Sequence, residues 1–447
     1  MDIRPVPAPE RNLRGVDFFL LWAGVAISLA EIWAGGFLAP LGFWSGLWAI
    51  LLGHLIGNTL MALGGVIGSD HGIMSMVSIR PAFGIRGSNL AALLNIVQLI
   101  GWAAIMLIIG GRAGAALGKP IGGLPATDAF WVVLIGFGTL LWALWTGNTL
   151  WKLLQSVSVV ALVVVLLMMT WIAFTGLEAK PAAAAGPLAF MTALDLVIAM
   201  PISWMPLVAD YARSARSTRA AFWNTWWGYF LVSSWMYVLG LQVALLTGAA
   251  DPGQAVLETM GRLGLAVPAL IMVVFSTITS DFPDVYSATC SMLNISQKLS
   301  ARSVMWIAGI MSILVALVFP MEQYENFLFF IGAMFIPLFG VILTDYFILR
   351  RRQLDIADIY RQGGQYWYRK GFNPAAIIAW AAGFAVYEAM AVLTLPVGGS
   401  LPSMFTAGII YWVFARGNYS GRQKAEGFWG PTMRYHTKPK SVRYVDM

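Results

Sequence analysis

Charge is scarce in this sequence: only 11% of its 447 residues are Asp, Glu, Lys or Arg, while 59% are apolar. A soluble domain carries roughly 25% charged residues. Too little polar surface is available to coat a particle in water, which excludes a cytosolic enzyme, a disordered protein and a secreted disulfide scaffold. Cysteine is nearly absent too, and with Cys290 alone no internal disulfide can form. The three histidines, His54, His71 and His436, are too few and too scattered for a metal cluster. The opening MDIRPVPAPERNLRG runs into a long apolar segment without a small-residue cleavage site, so it reads as a tail before a retained first helix rather than a signal peptide. What is left is a polytopic membrane protein, with a mean hydropathy of +0.74.

A bilayer core takes about 20 apolar residues per helix. Twelve stretches of that kind lie at 18–37, 43–67, 90–109, 130–144, 153–174, 191–209, 226–246, 265–290, 304–319, 327–349, 375–393 and 401–413. The basic residues test the count independently, because cytoplasmic loops concentrate Lys and Arg. With twelve spans and the N-terminus inside, only Arg112, Lys119, Lys180 and Arg262 of the 28 Lys and Arg residues fall outside. The net charge of +7 is therefore read as a topology signal, with lipid rather than nucleic acid as the partner and both termini cytoplasmic in the plasma (inner) membrane. The expected organisation is a tail at 1–16, a ten-helix core at 17–350, a cytoplasmic loop at 351–373, helices eleven and twelve at 374–416, and a tail at 417–447.

Ionisable groups at membrane depth are costly and are functional candidates by default. Glu31, Asp281, Asp284 and Glu388 are the informative ones, Glu388 having no assigned role; Asp210 and Asp345 stand beside Arg213 and Arg350 and read as anchoring ion pairs. Span one holds Ser28, Glu31 and the pair Gly35 and Gly36, and span six holds Pro201, Ser203, Trp204 and Pro206. Interruptions at corresponding places in two five-helix halves point to discontinuous helices around a midplane site. In span eight, Ser276, Thr279 and Ser280 share one helical face and offer either hard oxygen ligands for a small cation or interhelical hydrogen bonds; Asp281 and Asp284 follow. Gln98 and Trp102, four apart in span three, pair an amide with an indole and suit a flat heteroaromatic ligand. His54 reads as an interhelical hydrogen bonder or a proton relay.

The strings AEIWAGG (30–36), RPAFGIRGS (80–88), QLIGW (98–102), ADYAR (209–213), TDYFILRRR (344–352) and NPAAIIAW (373–380), taken in this order, carry a resemblance. The chain resembles the nucleobase:cation symporter-1 family in its cytosine permease branch, over nearly its whole length apart from the tails. Within that branch Glu31 and QLIGW look most like the hydroxymethylpyrimidine transporters associated with thiamine supply. The resemblance implies an all-α LeuT-type fold, ten helices in two inverted five-helix repeats plus two C-terminal helices, with alternating access and cation-coupled uptake of a nucleobase-like ring. Carried over by position, a sodium site would use backbone near Val25 and Ser28 with Ser276, Thr279 and Ser280. The substrate pocket would take Leu29, Ala30, Glu31, Gln98, Trp102, Ser203, Trp204, Asp281 and Asp284.

Two departures matter. The stacking aromatic of relatives aligns with Pro201, leaving stacking to Trp204 or Trp102, and the amide that pairs with the base in cytosine permeases is matched by Asp281. A changed hydrogen-bond set points from cytosine towards a hydroxymethyl-aminopyrimidine, whose amine a carboxylate accepts. Cytosine, a purine or an allantoin-like compound is the alternative substrate. No cofactor is expected, and the coupling ion is sodium or, with two acidic groups in an apolar pocket, a proton. A membrane-embedded enzyme has only a carboxylate pair to build on, and a solute sensor has no signalling domain in the tails. The sequence leaves the oligomeric state open.

Overall fold

A bilayer offers no water to unpaired backbone groups, so a spanning chain must close its hydrogen bonds within each segment, and this one does so with helices. The computed structural model describes residues 3–117, 123–145, 149–175, 188–248, 264–296, 298–393 and 397–425, without the side chains of 149–156, 158–159, 276, 279, 280, 282 and 418–425. All twelve apolar stretches fall on helices. Among the described residues, seven helical stretches are long and apolar enough to cross a membrane, and four more are apolar but shorter. The chain is an all-helical integral membrane protein.

Span one is α1 (Gly15–Ala26) and α2 (Leu29–Gly36). Span two is α3 (Gly42–His71), and the short α4 (Ser75–Ser78) and α5 (Arg80–Phe83) lead to α6 (Gly87–Leu117), span three. Spans four to seven are α7 (Asp128–Leu144), α8 (Thr149–Thr175), α9 (Phe190–Ala212) and α10 (Thr218–Thr247). Span eight is α11 (Ala266–Ser280) and α12 (Phe282–Ile295); spans nine and ten are α13 (Ala301–Val318) and α14 (Tyr324–Leu343), the last running into a π-helical turn over Thr344–Leu349. After α15 (Ile356–Ile359), spans eleven and twelve, α16 (Pro374–Val392) and α17 (Ser400–Ala425), pack on each other and on α14. Span two packs along span six as span seven packs along span one, the pairing expected of two five-span groups related by a two-fold.

Glycine sets the closest approaches, as it does where membrane helices meet without a hydrophobic drive. A Cβ added to Gly53, Gly57, Gly64 or Gly68 of α3 would run into Val197, Pro201, Met205 or Ala209 of α9. Gly35 and Gly240 bring α2 and α10 together: a Cβ on Gly35 would meet the Tyr237 main chain, and one on Gly240 the Ile32 carbonyl. Gly35 is therefore a packing device, and the glycine pair of span one is not the interruption. That lies earlier, at Ile27 and Ser28, where Ser28 turns extended (φ −145°, ψ 141°) and caps α2 by accepting the Ala30 N–H at 3.1 Å.

Span six departs from expectation in the other direction. Despite Pro201 and Pro206, α9 is continuous, its proline-freed carbonyls tolerated in a helix that α3 supports along its length. The second broken span is eight, at Asp281, where Pro283 has no N–H to return to the Thr279 carbonyl. At one end of the bundle Asp70 accepts both the Arg352 guanidinium (2.9 and 2.8 Å) and the Tyr346 hydroxyl (2.7 Å), tying α3 to the turn after α14. Asp345 is ion-paired with Arg350 at 2.6 Å, and Asp210, which interacts electrostatically with Arg213, also accepts the Ser75 N–H at the start of α4.

Candidate functional site

The break in span one opens a cavity of about 40 Å³ lined by Val25, Ile27, Ser28, Ala30, Glu31, Trp102, Met106, Met200, Trp204 and Asp284. Spans one, three, six and eight thus meet where two of them are interrupted. Of the residues singled out in the sequence, Val25, Ser28, Ala30, Glu31, Trp102, Trp204 and Asp284 line this space. Leu29 is buried beside it in the first turn of α2, and Gln98, Ser203 and Asp281 lie in the surrounding wall, each buried.

Glu31 is held on both oxygens by α10: Oε1 accepts from the Tyr229 hydroxyl at 2.6 Å and Oε2 from the Ser233 hydroxyl. Tyr229 in turn accepts the Trp204 indole N–H at 2.9 Å, and Trp22 stands edge-on to both rings. Trp204, which lines the cavity, is thereby fixed in orientation. Trp102 packs edge-on against Tyr324 and Phe327, and Tyr324 donates to the Ala30 carbonyl at 3.1 Å. These contacts hold two indoles rigidly on opposite helices, which is what stacking on a flat ring requires.

The span-eight side is different in kind. Asp281 and Asp284 face one another, and each has a buried Oδ1 without a partner. The Gln98 Oε1 and the Trp102 Nε1 are likewise buried and unpartnered. Buried polar groups usually find a partner, so four unpartnered ones in one neighbourhood make these side chains candidates for contacting a ligand. The Gln98 amide nitrogen is committed to Asn95 Oδ1 and the Ser203 carbonyl, both at 2.8 Å, so the amide can only accept from a ligand. The Ser203 hydroxyl bonds back to the Met200 carbonyl at 2.6 Å, so this residue serves the site through its main chain.

A small cation would find carbonyls at the end of α1. The Ala30 N–H, which a continuous helix would give to the Ala26 carbonyl, is taken by Ser28 Oγ. The side chains of Ser276, Thr279 and Ser280 lie outside the described residues, so the structure supplies only the Val25 and Ser28 half of that set. Among the described residues no group of three His, Cys, Asp or Glu is placed to hold a metal.

Sequence reasoning missed Tyr229 and Ser233; His54, read as an interhelical hydrogen bonder or a proton relay, does bond across helices, to Ser233. The signal was available, since Tyr229, Ser233 and Tyr237 recur every four residues on α10 and form one face. It also missed Asp195 of α9, which accepts the Gly399 and Ser400 N–H groups at 2.6 and 3.1 Å and so caps α17. Glu388 is exposed on α16.

The fold defines the class first: a helical membrane protein with two interrupted spans beside a buried cavity. Its backbone superposes on Mhp1, a nucleobase-cation-symport-1 family transporter, in an inward-facing form (TM-score 0.80, 21% identity, 94% of this chain and 93% of that one). It superposes as well on the closed form with bromovinylhydantoin bound (TM-score 0.80, 20% identity, 94% and 95%). At the level of sequence, residues 5–413 match the family model described as permease for cytosine/purines, uracil, thiamine, allantoin, and the chain belongs to that family. Among curated proteins it is similar to the cytosine permease of Escherichia coli (strain K12), 28% identical over 63% of this chain. That match spans 65% of the permease's own length. It is also similar to the hydantoin permease of Microbacterium maritypicum, 23% identical over 70% of this chain and 68% of that one. Both of these relatives are permeases.

Proposed function

We propose that this protein is a cation-coupled symporter that imports a 4-aminopyrimidine, with hydroxymethyl-aminopyrimidine, a thiamine precursor, as the preferred substrate. The observation that carries the reading is the set of unpartnered acceptors, Gln98 Oε1, Asp281 Oδ1 and Asp284 Oδ1, grouped beside two fixed indoles. An exocyclic amine supplies the donors those oxygens lack, and the ring supplies a face for Trp102 or Trp204. Cytosine carries the same amine edge, and the likeness to a cytosine permease makes it the second reading. Coupling would use either sodium at the Val25 and Ser28 carbonyls with Ser276, Thr279 and Ser280, or a proton on the acidic groups. The core at 17–350 would do the transport, with both termini in the cytoplasm, as the bias of Lys and Arg indicates.

The test is ligand-dependent thermal stabilisation of the purified protein against pyrimidines, purines and thiamine fragments, each in sodium and in choline. The reading expects hydroxymethyl-aminopyrimidine to stabilise most, cytosine less, and uracil, which lacks the amine, least. Equal stabilisation by uracil would remove the amine from the argument, and a purine ahead of every pyrimidine would replace the substrate.

A further inference from the structure

Glu31 reaches further than the cavity it lines. Behind it, the Ser233 hydroxyl that meets Glu31 Oε2 also meets His54 Nε2, at 2.5 Å, and all three side chains are buried. The other ring nitrogen, Nδ1, lies 2.9 Å from the Ile50 carbonyl one turn earlier on α3. A carbonyl only accepts, so Nδ1 carries a hydrogen. The Trp204 N–H points at the Tyr229 oxygen, which turns the Tyr229 proton towards Glu31 Oε1 and leaves Oε2 as the carboxyl oxygen facing the serine.

Counting hydrogens along this chain fixes its protonation. If Glu31 is ionised and His54 neutral, Ser233 stands between two acceptors with one hydrogen, and one buried bond is missing. One added proton completes the chain in two ways. It sits on Nε2, which donates to Ser233 while Ser233 donates to the carboxylate; or it sits on Oε2, which donates to Ser233 while Ser233 donates to Nε2. The two arrangements differ only by hydrogens shifted along existing bonds, and a second added proton leaves the serine between two donors with its own hydrogen unused.

We infer that Glu31, Ser233 and His54 form a binding site for one proton, shared between carboxyl and imidazole through the serine hydroxyl, and that this proton is the coupling ion. The coupling half rests on the transport reading above; the proton site does not. Glu31 is its entrance, since it alone of the three lines the cavity. The groups that face the site are Tyr229 and Tyr237 on α10, with His54 edge-on to Tyr237 at 5.0 Å, Tyr324 on α14, and Asp284 across the cavity on α12. No lysine or arginine among the described residues pairs with Glu31, so the shared proton is what balances its charge. A substrate amine approaching Glu31 favours the ionised carboxyl and sends the proton to His54, deeper in the protein, where it travels with the bound ring. Acidic and imidazole groups chained in this way are the usual means of carrying protons through membrane proteins.

Two measurements decide the two halves separately. Ligand-free purified protein is titrated with a pH-indicator dye beside Glu31→Gln, Ser233→Ala and Ser233→Thr. Glutamine reproduces the protonated carboxyl, its oxygen accepting from Tyr229 and its amide donating to Ser233, so this variant stays folded and is expected to bind one proton fewer. Ser233→Ala, which separates carboxyl from imidazole, is expected to move the titration midpoint by about one pH unit, the effect of one buried hydrogen bond, and Ser233→Thr to restore it. Identical titration of all four proteins overturns the proton site.

Proteoliposomes with an imposed pH gradient and no sodium then test coupling with cytosine and hydroxymethyl-aminopyrimidine. Wild type and Ser233→Thr are expected to accumulate the ring, and Ser233→Ala about tenfold less. Accumulation driven by sodium alone and indifferent to the pH gradient overturns the coupling while leaving the transport reading intact. Uptake of neither ring in either gradient counts against that reading and the coupling together, and the dye titration still decides the proton site.

Discussion

Two acids face the same cavity and are held in opposite ways. Glu31, on the span-one side, has both oxygens engaged by hydroxyls of α10 and belongs to a chain that continues to His54. Asp284, on the span-eight side, has Asp281 for company and a buried oxygen that nothing in the protein answers. Buried polar groups that are satisfied fix a structure, and those that are not are waiting for something. The difference divides the labour of the site: span one with span seven forms a prearranged support, and span eight presents the unfilled acceptors. The two sides should respond differently to substitution.

The largest effect comes from parting the support itself. Gly240→Leu places a side chain where the Ile32 carbonyl sits, separating α2 from α10 and taking Tyr229 and Ser233 away from Glu31. A main-chain collision has no flexible partner to give way, and the expected loss is about 3 kcal/mol, seen as a collapse of the thermal transition and of the monodisperse elution peak. A protein that melts normally would mean the close approach is dispensable.

On the other side, Asp284→Asn should cost binding and not folding. It exchanges a carboxylate at the cavity for an amide, with an expected loss of about 2 kcal/mol of a charge-assisted hydrogen bond and a ring affinity about thirtyfold weaker in calorimetry, the melting temperature being held or raised. If affinity is kept and stability falls, the roles assigned to the two sides are reversed. Tyr229→Phe is the converse variant: it removes one bond to Glu31 and strands the Trp204 N–H, so stability should drop by about 1 kcal/mol in a thermal-shift assay. Smallest of all is Ser203→Ala. The hydroxyl serves only the Met200 carbonyl and the main-chain contact to Gln98 survives, so stability should move by less than about 0.5 kcal/mol and ring affinity by less than about twofold.

Much of this organisation was legible before any coordinates. Twelve apolar stretches gave the helices, because leaving charge out of a segment is what lets it sit in lipid. Glu31, Trp102, Trp204 and Asp284 were visible as polar or aromatic exceptions, and they do line one cavity. Where the reading of span one went astray, a glycine pair was taken for a weak point in the helix, when the helix runs through both and Gly35 admits the backbone of α10. The prolines of span six failed in the same manner: a missing N–H is a local fact, while the persistence of α9 as a helix depends on the glycine-lined groove of α3 beside it.

The sequence by itself determined that the chain is helical, that it lives in a membrane and which acids cannot be there by accident, because these follow from transfer energies that each residue carries wherever it is placed. Only the tertiary structure decided which acid is satisfied and which is not. Tyr229 and Ser233 lie some two hundred positions from Glu31, and His54 lies 179 from Ser233. A hydrogen bond depends on where two atoms meet and on which of them holds the hydrogen, and nothing in the order of residues along a chain records that.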